Sequence, residues 1–256
     1  TRSWPRAAFA RELAARGHDL VLTARRTERL QDLAQELRQR HRIEATVLTA
    51  DLADQAAPLQ LCETLAARGL EVDWLINNAG YGVPGRFEES AWPVHAAFIQ
   101  VLMTAPTELA RRLLPGMQQR GYGRIVNVAS LAGYVPGTPK HTLYAASKAY
   151  LIKFSESLAL ENRDRGIHVC ALCPGFTWSE FHDVTGTRDK MNQLPAYLWQ
   201  TAEAVVREGV EAVERGEATW VTGPVNRAIK AMFKLLPDRL ALAMASRQSK
   251  RYRSGD

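Results

Sequence analysis

A chain of 256 residues, 46% hydrophobic and 23% charged, suffices for one α/β domain with a sizeable buried core and argues against a second full domain. The excess of 33 Lys and Arg over 27 Asp and Glu, net +6, suits an anionic ligand, an acidic membrane surface or nucleic acid without selecting one. Three cysteines, Cys62, Cys170 and Cys173, exclude a disulfide framework and favour a reducing, cytoplasmic setting, while no apolar run reaches the ~20 residues of a membrane span and nothing at the start reads as a secretory signal.

From Arg6 the sequence reads as an amphipathic helix that Gly17 ends, followed by the strand "HDLVLTA". Short apolar runs then alternate with amphipathic stretches. Strands are predicted at His18–Ala24, Ala45–Ala50, Val72–Asn77, Arg124–Ser130, Ile167–Cys173 and Ala218–Thr222, with helices near Glu28–Arg40, Gln55–Arg68, Ala91–Gln119, Leu143–Arg163 and Ala202–Arg215. That alternation predicts a single-domain α/β fold, a doubly wound parallel sheet of the Rossmann type over residues 1–222. Residues 223–256 read as a basic, amphipathic helical extension of the same domain, divided in two by Pro237. It either packs on the domain or a sister subunit, or lies on a membrane surface. "CALC" has redox or zinc half-site spacing, but strand residues three apart point to opposite faces and no second cysteine pair exists, so core packing is expected and no metal.

"LYAASKAY" sets Tyr144 and Lys148 one helical turn apart on one face, and Ser130 ends the strand upstream. A tyrosine, with an ordinary pKa of about 10, exchanges protons poorly at neutral pH. An ammonium ~4 Å away stabilises the phenolate by up to ~4 kcal/mol at an effective dielectric of ~20. The expectation is therefore a lowered Tyr144 pKa and a general acid/base, with Ser130 orienting a substrate oxygen. Tyr-x-x-x-Lys alone is weak, because surface helices often place a lysine one turn after a tyrosine.

Together "NNAGYG", "IVNVASLAG", "YAASK" and "CPGFTWSEF" resemble, in order and approximate spacing, the motifs of the short-chain dehydrogenase/reductase family. The resemblance runs from about Arg6 to Thr222. It implies NADP(H) or NAD(H) held across the carboxyl ends of the strands, a small-molecule carbonyl or alcohol substrate, and a homo-oligomer built on the helices containing Leu102 and Tyr144. By matching position, Tyr144 is the acid/base, Lys148 its partner and a ribose ligand, and Ser130 the orienting hydroxyl, one residue farther from Tyr144 than usual. Asp51 and Leu52 fall at the adenine contact, though Asp51 also reads as a helix cap. Asn78, Ala79 and Gly80 would run along the cofactor or simply form a tight turn. Pro174, Gly175 and Thr177 would shape the nicotinamide pocket. Arg25 and Arg26 stand where NAD-preferring members carry an acid, so NADP(H) is expected through a guanidinium on the 2′-phosphate, the alternative being a solvated pair at a helix start.

Two features depart from the family pattern. No glycine precedes Gly17, and the last two glycines of the expected phosphate turn align with Trp4 and Arg6. The strand that should precede them would lie mid-sheet, between the strands at Val21 and Leu75. This predicts either an upstream segment lost by truncation or frameshift, or a phosphate site in which Arg2 and Arg6 replace backbone amides. The second departure is Leu102, at the position of an asparagine that helps hold a relay water. It supports the alternative of a catalytically impaired ligand- or partner-binding relative. Glu88 and Glu89 read as a solvated helix start. His182 and Asp183 fall in the region that in the family usually covers the substrate, where they either contact it or belong to a mobile surface lid, and Trp178, Phe181, Tyr197 and Trp199 either line an apolar cleft or pack that lid. No interleaved basic and aromatic motif points to nucleic acid.

Overall fold

The apolar run "IHVCALC" becomes the most buried strand, and the rest of the fold is arranged about it. The computed structural model describes residues 5–178, 195 and 198–253. In chain order the main elements are α1 (Pro5–Ala15), β1 (Leu20–Leu22), α2 (Thr27–His41), β2 (Ala45–Val47), α3 (Ala57–Ala67), β3 (Trp74–Asn77), α4 (Trp92–Ile99), α5 (Ala105–Arg120), β4 (Gly123–Val128), α6 (Thr142–Glu161), β5 (Ile167–Cys173), β6 (Phe176–Trp178), β7 (Trp199–Thr201), α7 (Ala202–Glu214), β8 (Thr219–Val221), α8 (Pro224–Leu235) and α9 (Asp238–Arg253). Strand β5 spans the predicted residues, whereas β1, β2, β3 and β8 are shorter than predicted. Pro237 separates α8 from α9 as expected.

All the ladders are parallel, which requires helical crossovers and buries both sheet faces. On one face Val126, Cys170 and Leu172 meet Val205, Val206 and Val210 of α7 and Phe9 of α1. On the other, Ile125, Ile167 and Val169 meet Leu109 and Met117 of α5 and Leu158 of α6. Cys170 and Cys173 are fully buried in clusters on opposite faces, the core role expected of "CALC".

The sheet is in two parts. Strands β3, β4, β5 and β8 pair in that order, while β1 and β2 form a separate pair. Between β1 and β3 there is packing but no ladder: the His18 and Trp74 rings lie 5.5 Å apart, and Leu20, Trp74 and Ile76 share a cluster with Ala8, Phe9 and Leu13 of α1. The division falls where the sequence places a missing strand. A polar chain ties the larger sheet to α6: Asn77 Nδ2 donates to Asn127 Oδ1 at 2.8 Å, and Asn127 Nδ2 donates to Ser155 Oγ at 2.8 Å.

Candidate active site

The site forms at the carboxyl ends of the strands. Just past β4, Ser130 caps a 3₁₀ turn over Leu131–Gly133, its Oγ accepting from Ala132 N at 3.1 Å and lying 3.5 Å from the Pro174 carbonyl. A Cβ on Gly133 would come within 2.8 Å of the Lys148 backbone and 2.6 Å of Ile152, so only glycine lets this turn close on α6. That contact sets Ser130 beside the helix carrying Tyr144 and Lys148. The Tyr144 hydroxyl is hydrogen-bonded to Ser130. Lys148 is buried, donates from Nζ to Val128 O at 2.8 Å, and lies 5.6 Å from the centroid of the Tyr144 ring.

The electrostatics differ from the sequence expectation. Burial raises the Tyr144 pKa above its ordinary 10, with the Ser130 hydrogen bond only partly opposing it. Burial also lowers Lys148 to about 8. The expected lowering of Tyr144 by Lys148 is thus not found: the ammonium is directed at a backbone carbonyl, and burial outweighs the Ser130 hydrogen bond.

The predicted cofactor residues fall into two groups. At one end, Arg25 and Asp51 lie 3.9 Å apart and largely exposed, and both act on Tyr81. Asp51 Oδ1 accepts from Ala53 N at 3.0 Å, holding the turn after β2, whereas Asp54 makes the corresponding bond next to α3. Arg26 is the N-cap residue of α2 without a side-chain capping bond. Leu52 and Ala79 pack against Phe98, Val101 and Leu102, so they offer backbone rather than side chain. At the other end, a Cβ on Gly80 would sit 3.7 Å from Lys148 Nζ, in ordinary contact. Pro174 O accepts from Leu131 N at 2.9 Å, and Thr177 Oγ1 donates to Gly175 O at 3.2 Å. Between the two ends Asn78 Nδ2 is a buried donor without a partner among the described residues, suited to an acceptor on a bound ligand. This donor set fits the adenosine and nicotinamide ends of a dinucleotide. Arg2 and Trp4 lie outside the described residues, and Arg6 enters only as a backbone position in α1.

Some features were not legible beforehand. His95 donates from Nε2 to Phe87 O at 2.8 Å and stacks on Phe87 at 4.6 Å, leaving Nδ1 buried and unpartnered among the described residues. With Val83, Phe98, Leu143 and Tyr144 it lines a small recess beside the site. A single histidine in "WPVHAAFI" carries no signal for this. Asn226 fills the space a Cβ on Gly175 would need, and is fixed by bonds to Thr222 O and Gln200 Oε1. Strands β6 and β7 pair, and Trp178 stacks on Trp199 at 4.1 Å, so these two aromatics pack on one another. Phe181, His182, Asp183 and Tyr197 lie outside the described residues. Glu89 accepts from Arg86 N at 2.7 Å and Glu88 is exposed, as a solvated helix start requires. No group of three or more His, Cys, Asp or Glu among the described residues is arranged to hold a metal. Nor is any helix among them long and apolar enough to cross a membrane.

The short chain dehydrogenase family profile matches residues 7–189, and the chain belongs to that family, a family of oxidoreductases with an α/β Rossmann-like fold and small-molecule substrates. Among its relatives, a very-long-chain 3-oxoacyl-CoA reductase of Anas platyrhynchos is 29% identical over 96% of this chain and 77% of its own length. An inactive hydroxysteroid dehydrogenase-like protein 1 of Homo sapiens is 34% identical over 88% of this chain and 67% of its own length. A short-chain dehydrogenase of Sphingobium yanoikuyae, solved with NADPH, superposes with a TM-score of 0.79 at 30% identity, covering 92% of this chain and 93% of that one.

Proposed function

We propose that this chain is an NADP(H)-dependent reductase or dehydrogenase acting on a carbonyl or secondary alcohol, with Tyr144 as general acid/base. The observation that carries the reading is the convergence of Ser130, Tyr144 and Lys148 through the Gly133 contact. The bound coenzyme supplies the hydride. Ser130 and Tyr144, already hydrogen-bonded, hold the substrate oxygen between them. Because its pKa is raised, Tyr144 keeps its proton at neutral pH and delivers it to the oxygen as the carbonyl carbon is reduced. Lys148 near 8 is mostly an ammonium at neutral pH and is the proton source from which the phenolate is recharged after each transfer.

Arg25 and Arg26 would take the 2′-phosphate, Asp51 and Leu52 the adenine, Asn78, Ala79 and Gly80 the middle of the coenzyme, and Pro174, Gly175 and Thr177 its nicotinamide end. The NADPH-bound neighbour supports the phosphate choice. The very-long-chain 3-oxoacyl-CoA reductase relative supports a bulky, apolar substrate. We further propose a homo-oligomer, a cytoplasmic setting, and residues 1–222 and 223–256 as one domain with its extension.

The test is fluorescence titration with NADPH and NADH followed by a panel of bulky ketones. NADPH is expected to bind more tightly, Arg25→Glu with Arg26→Glu to reverse the preference, and Tyr144→Phe to bind normally while losing roughly 10²- to 10⁴-fold in turnover. A second reading, binding without turnover, draws on Leu102 and on the inactive relative. Its signature is NADPH binding with no reduction across the panel by the unaltered protein.

A further inference from the structure

The chain's positive charge is not spread over its length. Residues 224–256 contain eight of the 33 Lys and Arg and two of the 27 Asp and Glu, so the whole +6 resides there and residues 1–223 balance at 25 of each sign. Residues 224–253 of this stretch carry α8 and α9. Their buried side is short: Asn226 sits under Gly175, Lys230 lies 4.1 Å from the centroid of the Tyr134 ring, and Ala241 and Ala245 are covered. Elsewhere the helices present apolar side chains outward. Leu235 is 85% exposed, Leu240 and Leu242 more than half, and Met232 and Met244 about two-fifths. Ala228, Ala231, Met232 and Leu235 recur at helical spacing on the exposed side of α8, flanked by exposed Arg227 and Lys234.

We infer that α8 and α9 dock this protein on a membrane surface bearing anionic lipid. An apolar stripe bordered by cations is what an interfacial helix requires, because the leucines and methionines enter the acyl boundary while the cations remain among the headgroups. A nucleic-acid phosphate surface would leave the exposed Leu and Met side chains in water. A second copy joined through the same face would bring two +6 tails together across the two-fold axis. Arg227 contributes least, since it already pairs with Glu208 at 3.6 Å, whereas exposed Lys234 and Arg239 lie beside Leu235 and Leu240. Docking sets the catalytic cleft next to lipid, because the root of α8 touches Gly175 and Tyr134, the latter four residues past Ser130. The inference goes beyond the proposed reaction and needs neither coenzyme nor substrate for its test.

That test is flotation of the full chain with vesicles of phosphatidylcholine alone or mixed with phosphatidylglycerol. The protein is expected to float with the mixed vesicles, to remain behind with the neutral ones, and to be released by salt. Lys234→Gln with Arg239→Gln should weaken the association about 10- to 30-fold, and Leu235→Glu with Leu240→Glu should abolish it, with circular dichroism and sedimentation unchanged in both. Absence of flotation, or flotation indifferent to anionic lipid and to these variants, overturns the inference. So does a dimer that Leu235→Glu with Leu240→Glu converts to monomer, because then a second copy covers the face.

Discussion

On the proposed reading, Lys148 is a single residue both costly to the fold and necessary to the chemistry. Its pKa of about 8 lies below the ordinary 10.5, so between those values the unfolded chain binds a proton that the folded chain does not. Stability from this group is therefore greater above about 10.5 and is lost as pH falls through about 8. At neutral pH the buried ammonium costs up to about 3 kcal/mol, offset in part by its bond to Val128 O. Lys148→Met keeps the volume and removes the charge. It is expected to raise the melting temperature of the coenzyme-free protein at pH 7, with the advantage vanishing by about pH 10.5, while carbonyl reduction falls at least ~10²-fold. Thermal denaturation across pH, beside NADPH-dependent turnover, checks both halves. A melting temperature that falls equally at every pH would show Lys148 acting only as packing. In the unaltered enzyme, carbonyl reduction should decline as pH rises through about 8, where the ammonium loses the proton it returns to Tyr144.

The long stretch predicted as one helix over Ala91–Gln119 is two helices joined by a π-helical turn, Gln100–Thr104. Leu102 lies in that turn, 1% exposed, in the cluster that also holds Phe98 and is flanked by Ala79 and Tyr144. π-turns often mark functional sites, and here the turn brings an apolar side chain where a polar one would hold relay water. On the proposed reading, proton return to Lys148 then limits repeated turnover. Leu102→Asn is expected to leave the first turnover unchanged in stopped-flow and to speed later turnovers severalfold. It should also cost about 2–4 kcal/mol of stability, from lost apolar burial and a buried amide. Equal steady-state rates in both proteins would reject the relay argument. This element also marks the limit of what the sequence discloses. The placement of Tyr144 and Lys148 one turn apart, and of the cysteines on opposite faces, follows from local period, whereas the roles given to Ser130, Tyr144 and Lys148 come from the family resemblance. The π-turn has no residue signature, because an i→i+5 bond uses the same side chains as an i→i+4 bond. Strands β6 and β7 are three residues each, too short to show alternation, and their pairing joins residues far apart in the chain. The direction of the Tyr144 pKa also escaped, because burial is set by residues remote in sequence.

At the scale of the whole molecule, the divided sheet predicts divided stability. Strands β1 and β2 are bonded to each other and covered by α2, through Leu30, Ala34 and Leu37 packed with Leu22 and Ala45. Arg11 clamps α1 to Glu36 of α2 with two bonds of 2.9 and 2.8 Å, and this pairing lowers the Glu36 pKa. Among the described residues the larger sheet is reached by side chains and not by a ladder: Phe9 and Leu13 against the α7 cluster, His18 against Trp74, and Leu48 in the cluster that holds Leu75. Val21, in the middle of β1, is 37% exposed, which no strand paired on both sides of a covered parallel sheet would be. Apolar packing without a continuous ladder allows the smaller unit to open while the larger one stays folded. Native-state hydrogen exchange should therefore find the amides of Leu20 and Leu48, bonded to Glu44 O and Leu22 O, exchanging at least about tenfold faster than those of Ala129 and Ala171 in the larger sheet. Leu13→Ala, which opens a cavity at the junction, should widen that difference by accelerating the first pair and sparing the second. Equal protection in both pairs, falling together in the variant, would mean that the two parts unfold as one despite the break between β1 and β3.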